Sequence, residues 1–292
     1  MEYVPAEFVE KVTRTAWSQS IYYLKNYFGG LWSALAKKAV DIPGVVVYID
    51  VSNSGISCKW RLLSTRSNVD VSLLDPKKYH ISTIFIREGG DEGGVYSLLT
   101  EEILAKLKKM FSNGYKRVQK INIEVACGRY PQILQLLDSI VSVELCRMKV
   151  DDHIPFYRKI FEQSVKRVVY ESPQINEECV ELLQSALMAK RASGLWLEVS
   201  GTNKYVYDKI VNTILCDITW HKSCRIECTE DSNEVFTSLS RSLKPVMLPG
   251  HSDLFEAPNG TQIKLRKFGN DYGISYHGYD NQMEPNIFDE FY

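Results

Sequence analysis

The chain has 292 residues, with 45% hydrophobic and 24% charged residues, the composition of a folded globular protein with room for one large core or two ordinary ones. A net charge of −1 excludes a global pull toward nucleic acid or anionic membrane, and no apolar run approaches the roughly 18–20 residues of a membrane helix. Residues 1–30 lack a basic start followed by an apolar core, and the seven cysteines are scattered and odd in number, so a reduced cytoplasmic protein is expected, with a nuclear one also open.

The chain opens with three short helical segments. Pro5 and Glu7 suit a helix N-terminus, and Phe8, Val9 and Val12 form an apolar stripe behind them. A second segment over 18–27 has Ile21, Leu24 and Phe28 in phase, and Gly29-Gly30 breaks it. A third, Leu31 to Lys38, ends before Pro43.

Val4-Pro5-Ala6-Glu7 matches the start of an F-box pattern, Val12 its first buried position, and Trp32 and Leu35 its late ones. The opening therefore resembles a degenerate F-box. Its Val-Pro-x-x-Phe form also resembles large nematode families of F-box and F-box-associated proteins, in which a helical head precedes an α/β body. The middle departs from the pattern, with Tyr22-Tyr23 and Asn26-Tyr27 where a leucine-rich helix is usual. The resemblance implies a head over 1–43 that engages a Skp-type adaptor through Val4, Pro5, Glu7, Phe8, Val12 and Trp32. The plainer alternative is three small helices capping one end of a sheet.

A hairpin follows. Val45, Val47, Ile49 and Val51 alternate, Ser52-Asn53-Ser54-Gly55 turns, and Ile56, Cys58, Trp60 and Leu62 alternate back. His80 to Arg87 is another strand. Gly89 to Gly94 is a glycine-rich loop, but it carries two acids and lacks the Lys-Ser/Thr ending of a phosphate loop. Thr100 to Phe111 is the clearest helix: Thr100 can cap it, acids fill its first turn and lysines lie toward its end.

From residue 119 a β–α alternation sets in. Strands are expected at 119–125, 141–147, 165–171, 194–200 and 223–229, with helices at 130–139, about 155–164, 175–190, about 203–215 and about 233–243. Each strand carries a glutamate after an apolar or aromatic residue, and Glu144, Glu171, Glu198 and Glu227 are spaced 27, 27 and 29 residues apart. Within each strand one face reads apolar and the other polar. In the second, Val141, Val143 and Leu145 are read as inward, opposite Ser142, Glu144 and Cys146. Strands joined by helices lie parallel, and a polar face argues for helices on one side only. The expected fold is thus α/β: a parallel sheet of degenerate, leucine-rich-repeat-like β–α units, with the helical head in front and hairpins over 45–63 and 262–277, the body running 44–292. The acidic aromatic tail, Pro285 to Tyr292, is a candidate binding motif.

On the polar face, Glu144, Arg167, Glu171, Trp196, Glu198, Arg225 and Glu227 make a mixed-charge surface with one aromatic anchor, read either as a solvated ladder or as a protein-recognition face. Two acids in like environments do not suit a carboxylate-pair hydrolase. Cys216, His221, Cys224 and Cys228 suggest zinc, but Cys224 and Cys228 on one strand stand roughly 13 Å apart. The five histidines are isolated, and the basic residues are dispersed along the chain without a nucleic-acid footprint. No cofactor or metal is implied. The expected function is a non-enzymatic protein-interaction module with a protein partner and, through the resemblance, a ubiquitin-ligase adaptor role. The alternatives are an enzyme with an unrecognised site, or a scaffold with a vestigial head.

Overall fold

The structure, a computed structural model, describes residues 5–15, 18–53, 55–69, 75–76, 78–89, 96–112, 118–149, 153–163, 165–170, 176–189, 191–200, 209, 213, 223–229, 244–245, 254–256, 262–268 and 271–277. The chain divides into two compact units, Met1–Ala192 and Ser193–Tyr292.

The first unit begins with helices α1 (Ala6–Thr15), α2 (Ser18–Tyr27) and α3 (Gly30–Asp41). Ile21 and Ala36 bury against each other with Leu24 and Val40 beside them, a small core within the helical head. Val9 and Thr13 of α1 are buried, and the Thr13 hydroxyl donates back to the Val9 carbonyl. The hairpin follows as β1 (Gly44–Ser52) and β2 (Gly55–Leu62), paired antiparallel. Gly55 stands at φ +129°, in the region that disfavours a side chain, which is why glycine closes this turn. A two-residue strand, β3 (Asn68–Val69), lies on the outer edge of β2.

Next come β4 (His80–Glu88), β5 (Ser97–Leu98), α4 (Glu101–Ser112), β6 (Val118–Ile123), α5 (Pro131–Ser139), β7 (Val143–Met148), α6 (Ile154–Glu162), β8 (Val165–Tyr170) and α7 (Glu177–Met188). Thr100 caps α4 as its residue type predicts, accepting from the Ile103 amide at 3.3 Å. Strands β1, β4, β6, β7 and β8 run parallel and side by side in that order, while β2 adds antiparallel at the β1 edge and takes β5 beside β3. The unit is therefore α/β with a mostly parallel sheet.

Register lines up one face of that sheet in two rows, Val47-Ile84-Ile121-Cys146-Val168 and Ile49-Ile86-Ile123-Met148-Tyr170. All ten residues are fully buried. Ile133, Leu136, Leu137, Phe156, Tyr157, Ile160, Leu183 and Leu187 of the helices are buried as well. Removing apolar area from water at about 25 cal/mol per Å² makes this face the main stabilising element.

The β7 phase is corrected here. Cys146 and Met148 lie on the core face, and Leu145 and Arg147 on the other. The strand begins at Val143, leaving Val141 56% exposed ahead of it. A one-residue shift in a strand exchanges its faces. The wholly apolar row formed with Ile121 and Val168 selects the phase that buries Cys146, a small hydrophobe in practice.

In the second unit, β9 (Ala192–Ser200) and β10 (Ser223–Thr229) are parallel. On the other side of β10 lies β14 (Asp271–His277), antiparallel, followed by β13 (Gln262–Phe268), β12 (Leu254–Glu256) and β11 (Lys244–Pro245). The hairpin expected over 262–277 thus forms. The helices expected near 203–215 and 233–243, and the tail from Pro285, lie outside the described residues.

Candidate functional site on the polar face of the first sheet

The other face of the first sheet mixes polar and aromatic residues with buried valines, Val46, Val118, Val143, Val165 and Val169. Its central row, read across the strands, is Lys59-Tyr48-Phe85-Asn122-Arg147-Val169. Beside it runs Arg61-Val46-Thr83-Lys120-Leu145-Arg167, and toward the carboxyl ends of the parallel strands come Asp50, Arg87, Glu124 and Lys149. Among the described side chains of this face, Lys59, Arg61, Arg87, Lys120, Arg147 and Lys149 are basic, and Asp50 and Glu124 are acidic. Six positive charges against two is a local excess in a chain of net charge −1.

The rings and cations interleave. Tyr48 and Phe85 stack with centroids 5.1 Å apart and planes 8° from parallel. Lys59 Nζ sits 4.9 Å from the Tyr48 centroid and 4.7 Å from that of Tyr96, so one ammonium lies between two tyrosines. Lys120 Nζ lies 5.8 Å from the Phe85 centroid. Arg87 lies 5.2 Å from the Tyr48 centroid, donates to Asp50 Oδ1 at 2.9 Å and reaches the Tyr96 hydroxyl at 3.3 Å. Lys59 is 3% exposed, and a charge so nearly desolvated is held by the ring quadrupoles on either side of it, a contact worth about 2 kcal/mol or more in such a setting.

The second charged pair is Glu124 with Lys149, at 2.9 Å, and Asn122 Nδ2 also donates to Glu124 at 2.8 Å. Burial works to raise the Glu124 pKa. The hydrogen bonds from Lys149 and Asn122, with the charges of Lys149 and Arg147, outweigh it and hold the carboxyl below its ordinary value. Asn122 is 3% exposed, and its Oδ1 accepts no hydrogen bond from the described residues. A donor on a bound molecule or a water would satisfy it.

Of the residues expected to form a recognition face, Arg167 takes a register position on this one, beside Leu145. Glu144 does not: it shares the core face of β7 with Cys146 and Met148, half-buried at the strand's start. Glu171 lies outside the described residues. In the second unit, Trp196 pairs with Arg225 and Glu198 with Glu227 across β9 and β10, so these four share one face of that sheet. The dispersed spacing of Lys59, Arg87, Lys120 and Arg147 hid the basic cluster. Period-two alternation in each strand was the available signal, and the register that joins the strands was not.

On the head, Pro5 and Glu7 are exposed, Val12 and Trp32 half-buried, and Phe8 is 53% exposed with its ring edge-on to Trp32 at 6.4 Å. Val4 lies outside the described residues. Among the described residues no His, Cys, Asp or Glu side chains gather as a metal set, and no helix is long and apolar enough to cross a membrane.

No family model and no curated protein matches the sequence. Among solved structures, the chain matches MycE methyltransferase from the mycinamycin biosynthetic pathway in complex with Mg and SAH, with 10% identity over 97% of this chain and 94% of that one, at a TM-score of 0.26. The same methyltransferase with Mg, SAH and mycinamycin VI matches with 11% identity over 96% and 94%, at a TM-score of 0.24. The expectation of a non-enzymatic interaction module and ubiquitin-ligase adaptor is corrected at this point, because these matches are to an enzyme. At such TM-scores they give this chain neither its fold nor a reaction.

Proposed function

We propose that the chain binds a phosphate polyanion, a nucleic-acid strand, on the polar face of its first sheet. The observation that carries this reading is the gathering of six basic side chains and two acidic ones on that face, in a protein of net charge −1. Clustered cations attract a phosphate chain and release its counterions, and that release supplies most of the free energy of sequence-independent binding. The reading includes a one-sided layout of the leucine-rich-repeat kind, with the helices on the core face and the polar face left to the ligand. Tyr48, Phe85, Lys120, Leu145 and Arg147 on that face are half-buried, while Val46, Lys59, Asn122 and Val169 in the same rows are buried.

The test is fluorescence anisotropy with labelled single strands of about twenty nucleotides, long enough for several phosphate contacts. Lys120→Ala combined with Arg147→Ala should weaken binding by about tenfold or more, each lost phosphate contact adding its share. Circular dichroism of the double variant should match that of the parent. A parent protein that binds no strand at low salt would sink the proposal.

A further inference from the structure

We infer that Ser64 is a phosphorylation site, used by a serine kinase that recognises arginine on the amino-terminal side of its target. The inference is independent of the polyanion reading above.

Arg61-Leu62-Leu63-Ser64 is the only place in the chain where serine or threonine follows an arginine by three residues. It spans the end of β2 and the turn that leads to β3. Kinases choose among hydroxyls largely by such charge patterns. Between Asp50 and Asp70 the chain carries no acid, while Lys59, Arg61 and Arg66 are basic, so the sequence around Ser64 is of one sign.

The fold presents the hydroxyl. Residues 63–68 are all exposed. The Leu62 amide donates to the Ser67 carbonyl at 3.0 Å and the Arg66 amide to the Leu62 carbonyl at 2.9 Å, which closes the turn. Of the three hydroxyls on it, those of Thr65 and Ser67 hydrogen-bond each other at 2.6 Å. The Ser64 hydroxyl has no hydrogen bond among the described residues, so it is the one ready to react. Arg61 Nε donates to the Arg66 carbonyl at 3.1 Å, a solvent-exposed bond that water replaces with little loss. Strand β3 is two residues long, so little holds the far side of the turn against a kinase that binds its target extended. Lys190-Arg191-Ala192-Ser193 also sets basic residues ahead of a serine, but Ser193 lies inside β9.

In the transfer, Ser64 Oγ bonds to the γ-phosphorus of a nucleoside triphosphate and the bond from that phosphorus to the β–γ bridging oxygen breaks. The hydroxyl proton passes to the kinase's base, and a nucleoside diphosphate leaves. The new phosphate brings about two negative charges to a turn that carries Arg61 and Arg66, where charge-assisted hydrogen bonds favour it.

The experiment incubates the full chain with magnesium ATP and the catalytic subunit of cyclic-AMP-dependent kinase, which reads arginine ahead of serine. Tandem mass spectrometry over a time course locates the phosphate. Ser64 is expected to be modified first. Ser64→Ala should lose that phosphate and Thr65→Ala should keep it. Arg61→Ala should slow modification of Ser64 by about tenfold or more, the worth of one charge-assisted contact, with Arg61→Lys in between. Circular dichroism of each variant should match that of the parent. A parent chain left unmodified at Ser64 overturns the inference, and so does faster modification of Thr65, Ser67 or Ser193. Arg61→Ala modified as fast as the parent overturns the part assigned to the arginine.

Discussion

Glu124 carries more of the polar face than its single negative charge suggests. It ties Lys149 at the end of β7 to Asn122 within β6, and so holds two strands' polar side chains in one arrangement. Its carboxyl pKa is lowered in the fold, so its contribution is complete above the unfolded carboxyl pKa, about 4.3, and is lost as the pH falls through the lower folded value. Glu124→Gln should therefore lower the urea midpoint at pH 7 and leave it unchanged at a pH below the folded value. An equal loss at both pH values would mean that packing, not charge, is what Glu124 supplies. The buried thiols behave in the opposite sense. Burial pushes Cys58 up to about 11, against a small downward pull from the Trp60 indole, and Cys146 up to about 12. Both stay protonated as core residues at neutral pH.

At the scale of the element, local chemistry sets most boundaries. Helix α7 begins where Asn176 Oδ1 accepts from the Glu178 amide at 3.0 Å and the Cys179 amide at 3.4 Å, with Glu177 and Glu178 placed well for the helix dipole. Asn176→Ala should cost about 1 kcal/mol, read as a lower denaturation midpoint, and Asn176→Asp should restore it. An unchanged midpoint for the alanine variant would show that the first-turn acids hold the helix start without the cap. Helices α5 and α6 each carry proline in their first turn, where the missing amide costs nothing. The hairpin of β1 and β2 and the helix α4 follow from alternation and capping in the same way. The exception is β7. Its residues Val143 to Met148 alternate in a manner that fits either phase, and a cysteine and a methionine look no more apolar on paper than a valine and a leucine. The neighbouring strands decide between the two phases.

At the scale of the whole molecule, net charge misleads. A total of −1 describes the sum over the chain, whereas among the described residues of the face formed by β2, β1, β4, β6 and β7 six are basic and two acidic, with Arg87 paired to Asp50 and Lys149 to Glu124. If that surface takes a phosphate chain, affinity should fall linearly in log–log form as salt rises, with a slope near −0.7 for each phosphate contacted on a single strand. Lys120→Ala should shallow that slope by about one contact. A slope that stays flat between low and physiological salt would point to apolar binding elsewhere on the protein.

The sequence by itself determined the short-range structure: the helical head, both hairpins, the capped helix α4 and the β–α alternation with its parallel strands. Periodicity, glycine and proline placement and capping act within a few residues and need no distant partner. Only the tertiary structure decided which residues share a face across strands. Lys59, Arg87, Lys120 and Arg147 stand in four separate strands, and between Lys59 and Arg147 lies nearly a third of the chain. The glutamate spacing drew attention to Glu144, yet β7 turns it toward the core side and brings Arg147 to the polar one. The physical reason is that strand register is set by packing two complete apolar rows, Val47 to Val168 and Ile49 to Tyr170. The polar face is what that packing leaves on the other side, and no single strand contains the information to predict it.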